Sequence, residues 1–259
     1  MSAATAATAG TEVRRPGRWR GIGTLTRAEL ALTVRRGESV LLTLVIPVTL
    51  LVFLSQVPLL PTADRSVNRL LPGLAALSVL STAMVGLGIA TAFERQQGVL
   101  KLLGVTPLTR GGWLAAKLGA VLTVEALQLA ILTIVAALLG WRPGGRVWLT
   151  LPAVLAGTAA FAGIGLVLAG RLRAETTLAA ANGLYVLLLL GGGLIAPLSV
   201  LPRAVADVAE LLPAAPLTEL LVWALGSGGA PGAGHVVVLA VWAVAAPLAA
   251  ARLFRWQPG

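Results

Sequence analysis

The chain has 259 residues, 57% apolar and 12% charged, where a soluble domain carries about 25% charged residues, so it lacks the polar coat that water requires. Its formal charge of +10 arises from 20 basic and 10 acidic residues, but the arginines fall between long apolar runs and aromatic residues are few, which marks topology and not a nucleic-acid surface. The absence of cysteine and the single histidine, His235, exclude disulfide scaffolds, thiol catalysis, thiolate metal sites and any site built on paired imidazoles.

Residues 1–18 read as a disordered cytoplasmic tail. The stretch opens with small residues and its first positive charges are Arg14 and Arg15, which reverses the order of a secretory signal. Residues 19–38 mix Trp19, Ile22, Leu25, Leu30, Leu32 and Val34 with Arg20, Arg27, Glu29, Arg35 and Arg36. The apolar positions spread too widely for a clean stripe. A helix lying on the membrane surface fits this pattern best, with a solvated basic linker as the alternative.

A hydrocarbon core of about 30 Å needs about 20 helical residues. Six runs of that kind occur within residues 39–255: Ser39 to Leu60, Leu70 to Phe93, Trp113 to Leu139, Leu149 to Gly170, Thr176 to Ile195, and His235 to Ala251. Their apolar character is continuous and not alternating, which excludes a β-barrel. The expected fold is an all-α membrane protein with six transmembrane helices, an N-terminal interfacial helix and a short outer helical hairpin before the last span. With both termini inside, the cytoplasmic side holds 15 Lys and Arg residues and the outer side 5, the bias expected of cytoplasmic loops.

Two connections hold structure of their own. The cytoplasmic loop 94–112 contains Val99, Leu100, Leu102, Leu103 and Val105; Gly104 suits the end of a short helix, and Thr106 precedes Pro107, which favours extended backbone. Such a helix is too short to span. Its apolar residues need either a partner's groove or the membrane surface. The outer segment 196–234 shows helix-length spacing over Arg203 to Leu212 and Thr218 to Leu225, with Pro202, Pro213 and Pro216 as separators, then a glycine-rich turn. These two helices are expected to dip into the outer leaflet.

Catalytic chemistry is missing from the sequence. No glycine-rich loop ends in Gly-Lys-Ser or Gly-Lys-Thr, so the chain has no phosphate cradle of its own, and no acid lies near His235 to build a triad. The strongest single residue is Glu125, flanked by Thr123 and Gln128 near the middle of the third span. A charged side chain there costs about 2.5–3.5 kcal/mol on insertion scales. Glu125 and Gln128 therefore line a polar pathway or hold neighbouring helices together. Small residues cluster in the second, fourth and fifth spans, mostly as packing positions. Among them Gly191, Gly192 and Gly193, just before Pro197, interrupt helix continuity and suggest a flexing point or gate.

The order of Glu94, Arg95, Gly98, Leu102, Leu103, Thr106, Pro107, Leu108, Arg110 and Lys117 resembles the pattern after the second span of type-2 ATP-binding cassette exporter permeases, including bacterial drug-resistance subunits. Pro197, Leu198, Leu201, Pro202, Leu212, Pro213, Pro216 and Leu217 are similar to that family's outer segment after the fifth span, although Pro213 and Pro216 stand where many relatives carry Asn-Pro. The resemblance covers nearly the whole chain from Trp19. It implies a non-enzymatic permease subunit working with a second permease, identical or similar, and two ATP-binding cassette ATPase subunits that bind the ATP and magnesium. It also implies that a helix of the loop docks into the ATPase through Glu94, Arg95, Gly98, Leu102, Leu103 and Thr106, to which the apolar pattern adds Val99.

The expected activity is export of a hydrophobic or amphiphilic substrate, drug or lipid-like, across a bacterial cytoplasmic membrane with both termini inside. Neither a cofactor held by this chain nor a nucleic-acid partner is expected; membrane lipid is. Two other readings remain open: a proton-coupled secondary transporter that uses Glu125, and an accessory membrane subunit without a translocation path.

Overall fold

The computed structural model describes residues 18–35, 37–56, 67–99, 109–144, 146–193, 198, 202–226 and 229–254. All regular structure among them is helical. Helix α1 is Arg18–Arg35 and α2 is Gly37–Gln56. The second span is a composite of α3, Val67–Val79, a π-helical segment, Leu80–Gly86, and α4, Leu87–Gln96. Then come α5, Arg110–Leu138, and α6, Thr150–Arg171, the latter entered through a single 3₁₀ turn at Val147–Leu149. Helix α7 is Ala174–Gly191, α8 Arg203–Glu210, α9 Ala214–Leu225 and α10 Ala233–Leu253.

Five helical stretches are long and apolar enough to cross a membrane: Val67–Gln96, Gly111–Leu138, Val147–Arg171, Ala174–Gly191 and Ala233–Leu253. Helix α2, at 20 residues, reaches about 30 Å and is long enough to be the sixth. The expected runs are thus recovered as helices whose described ends lie within a few residues of those read from the sequence. Helices α8 and α9 meet at 80°, and neither arm alone is long enough to span, a geometry common to a broken span and a re-entrant hairpin.

Two spans make the interior. The apolar window of the second span is 78% buried and that of the fourth 56%, whereas that of the last is 17%. Every residue from Leu71 to Leu80 is buried, so the second span is surrounded by protein, and the outward faces of α5, α7 and α10 are left for lipid. Close approach at α6 depends on glycine. A Cβ on Gly165 would lie 2.5 Å from the carbonyl oxygen of Met84, and one on Gly163 would overlap the backbone at Ala246 and Pro247. In lipid such backbone contact supplies packing that the hydrophobic effect does not.

Two boundaries differ from expectation. The fifth span was expected to run to Ile195, but α7 stops at Gly191, and Gly193 takes φ +70°, a conformation that suits only glycine after a helix end. The helix ends on the first glycine of the triplet, four residues short of the expected Ile195. Pro216 was expected to separate the outer helices but is the third residue of α9; in a first turn its missing N–H has no intrahelical partner to lose.

Candidate functional site

Successive residues on a helix turn by about 100°, so three neighbours in sequence face three directions. The last three residues of α4 use this to reach three elements. Glu94 Oε1 accepts from Lys117 Nζ of α5 at 2.8 Å, and the same ammonium donates to Glu29 Oε2 of α1 at 3.1 Å. Arg95 Nη1 donates to the Gly170 carbonyl at 2.8 Å, and its Nη2 donates to the Leu172 carbonyl. These carbonyls lie where α6 ends, where carbonyls lack helical partners and a cation is favoured. Gln96 Nε2 donates at 2.9 Å to Glu175 Oε1 in the first turn of α7.

The Lys117 side chain is 3% exposed, and those of Glu29 and Glu94 are 17% and 16% exposed. A buried ammonium is tolerated only with opposite charge beside it, and here two carboxylates supply it. Lys117 Nζ also lies 5.3 Å from the centre of the Trp113 ring, within cation–π range. The Trp113 ring in turn meets Phe254 at 6.3 Å. Phe254 packs on Gly170, where an added Cβ would lie 2.7 Å from the ring. The contacts therefore return to the residue whose carbonyl Arg95 holds, and one clamp ties together α1 and the ends of five spans.

Beyond the clamp the chain leaves α4 through Gly98, whose φ of +75° is available to glycine and strained for other residues. Val99 is exposed. Leu102, Leu103 and Thr106 lie outside the described residues. The chain re-enters helix at α5, where Thr109 caps the first turn by accepting from Gly112 N at 3.1 Å. Of the residues expected to meet a partner, Glu94 and Arg95 have side chains engaged within the bundle, and Gly98 and Val99 stand at its surface.

A second polar cluster sits at mid-depth. Glu125 and Gln128, each 1% exposed, face different neighbours. Thr158 Oγ1 of α6 lies 2.6 Å from Glu125 Oε2 and 2.8 Å from the Val154 carbonyl. One hydroxyl proton serves only one of those acceptors, so both bonds close when the carboxyl contributes a proton of its own. Glu125 Oε1 has no partner among the described residues. Gln128 Oε1 accepts from Thr82 at 3.0 Å. Thr82 belongs to the π-helical segment, whose wider turn shifts the side-chain register of the second span. Thr123, the other polar neighbour of Glu125 in sequence, is exposed and donates to the Gly119 carbonyl. Of the expected gate residues, Gly191, Gly192 and Gly193 lie together at the end of α7, and Pro197 is outside the described residues.

Sequence reasoning missed Glu29, Gln96, Glu175, Thr82 and Thr158 as site residues, and counted Lys117 only within a pattern. A signal existed for Lys117: it is one of only two lysines in the chain and falls inside an apolar run, where a lone charge requires a partner.

Residues 20–225 match the family described as ABC-2 type transporter. Over 222 residues the chain is 25% identical to the "Putative transport permease YvfS" of Bacillus subtilis (strain 168), covering 82% of this chain and 88% of that protein.

Proposed function

The chain belongs to the ABC-2 type transporter family and is a multi-pass membrane protein, and from that premise we propose that it is the permease subunit of an exporter that moves a hydrophobic or amphiphilic substrate outward. Family membership implies association with an ATP-binding cassette ATPase. In this reading two ATPase subunits serve two permeases, both termini face the cytoplasm, and the protein resides in a bacterial cytoplasmic membrane. Residues 1–18 form a cytoplasmic tail, 19–38 the surface helix, and 39–255 the permease domain with its coupling loop at 94–112 and outer re-entrant segment at 196–234.

One observation carries the reading: Glu94, Arg95 and Gln96 bind three elements at the position where the coupling loop begins. A displacement of that loop meets a braced structure and not a free helix end. Closure of the ATPase pair moves the segment around Leu102, Leu103 and Thr106; Gly98 supplies the turn, and the clamp passes the displacement to the ends of the second, third, fourth and fifth spans. Glu94 and Arg95 then act as positioning residues, while Val99, Leu102 and Leu103 form the docking face. Gly191 to Gly193 with Pro197 form the outer gate.

Replacing Leu102 and Leu103 together with Asp tests the assignment. The variant is expected to reach the membrane in normal amount, to lose co-purification with an ATP-binding cassette ATPase that binds the unsubstituted chain, and to lose ATP-dependent efflux from vesicles. Undiminished efflux rejects the loop as the coupling element. The proton-coupled alternative rests on the Glu125 oxygen that has no partner among the described residues and requires transport by this chain alone under a proton gradient.

A further inference from the structure

A cavity of about 240 Å³ opens between α5, α6 and α10 at the end of the bundle that carries the clamp. Gly111, Trp113 and Leu114 line it from the first turns of α5, Ala250, Ala251 and Phe254 from the last turn of α10 and just beyond, and Leu166 from α6. At roughly 30 Å³ for each molecule the space equals about eight waters, yet a buried water needs 2–4 polar partners. Six of the seven lining side chains offer no polar atom. Hydrocarbon, not water, satisfies such walls, and Gly111 and Ala251 at the rim are exposed.

The surroundings select the kind of hydrocarbon. Arg252 follows Ala251 in the last turn of α10, and Arg171 follows Gly170, the glycine on which Phe254 packs. Both arginines are exposed and neither is ion-paired among the described residues. Basic groups on the helix ends beside an apolar slot between spans complement a phosphate headgroup whose chain enters the slot. We propose that this cavity binds one acyl chain of an anionic glycerophospholipid, with Arg171 and Arg252 meeting its phosphate. Trp113 and Phe254 are then both wall of the lipid site and part of the clamp, so a bound chain lies one ring away from Lys117.

The assignment depends on the membrane reading but not on any ATPase, and binding to the full-length chain tests it alone. The protein is reconstituted in phosphatidylcholine vesicles containing brominated-chain phosphatidylglycerol or brominated-chain phosphatidylcholine, and the Trp113 signal is isolated by subtracting the Trp113→Phe variant. Quenching of Trp113 is expected to saturate at low mole fraction of the anionic lipid, with an apparent affinity about tenfold above that for the zwitterionic one. Ala251→Phe, which fills the slot from its rim, removes the saturable component; Ala251→Gly keeps it and controls for folding. Arg171→Ser with Arg252→Ser equalises the two lipids. A phosphatidylglycerol with a photoactivatable chain, crosslinking to Leu114 or Leu166 in the unsubstituted protein, gives the same answer without touching Trp113. Quenching that follows bulk mole fraction equally for both headgroups, or that persists unchanged in Ala251→Phe, overturns the proposal, as does crosslinking confined to the outward faces of α7 and α10.

Discussion

At the base of the bundle Lys117 meets Glu94 and Glu29 as opposite charges and Arg95 meets two backbone carbonyls, whereas at mid-depth Glu125 meets the hydroxyl of Thr158, and Gln128 that of Thr82. The first cluster stands near the ends of its helices, where water reaches the rims of both carboxylates, and there a network of full charges is affordable and stiff. In the second, at mid-depth, side-chain hydroxyls stand where the first has opposite charges, and the Glu125–Thr158 and Gln128–Thr82 pairs bridge α5 to α6 and to the π-helical segment. Under the proposed function the contrast separates two tasks that a list of intramembrane polar residues would merge: transmission of displacement between helices for the clamp, and holding helices in register for the mid-depth pairs.

The comparison is broken most severely at Lys117. Lys117→Met leaves two carboxylates facing each other without their cation; loss of one partner from a buried pair costs about 3–5 kcal/mol, and a value near the lower figure is expected because both carboxylates keep some contact with solvent. Thermal unfolding of the detergent-solubilised chain measures it, and Glu94→Gln is expected to cost less because Glu29 still meets the lysine. Gly165→Val drives a side chain into the Met84 backbone and is expected to cost about 2 kcal/mol by overpacking, without altering either polar cluster. Thr158→Val removes the mid-depth bond of Glu125 and is expected to cost about 1 kcal/mol, since hydrogen bonds between spans average about 0.6 and reach about 1.7 kcal/mol. Thr82→Val, at the weaker bond, is expected near the lower of those values.

Glu125 sharpens the comparison further. Glu125→Gln keeps a donor for Thr158 and is expected to leave both transport and stability close to normal, whereas Glu125→Leu lowers assembly, measured as the folded fraction recovered from membranes. Loss of transport in Glu125→Gln with assembly intact would move Glu125 from holding helices to the translocation path.

The spans were legible because burial in lipid demands a run of fixed length, and no other arrangement of these apolar residues satisfies the backbone. The π-helical turn at Leu80–Gly86 was not, since a change of one residue in the hydrogen-bond ladder leaves composition and length untouched. Glu29 and Lys117 are 88 residues apart, and pairing across such a distance is fixed by how α1 lies on α5, where Thr26 approaches the Ala116 carbonyl at 3.4 Å. Residue types alone carry no such register. Pattern placed Glu94 and Arg95 in the loop, whereas they lie in the last turn of α4 and reach into the bundle.

The number of substrate molecules exported per ATP hydrolysed, measured in vesicles holding the permease with its ATPase, tests the clamp most directly. Arg95→Met is expected to leave the ATPase bound and hydrolysing while that ratio falls about tenfold. A ratio equal to that of the unsubstituted protein, with ATP hydrolysis also unchanged, would contradict the account.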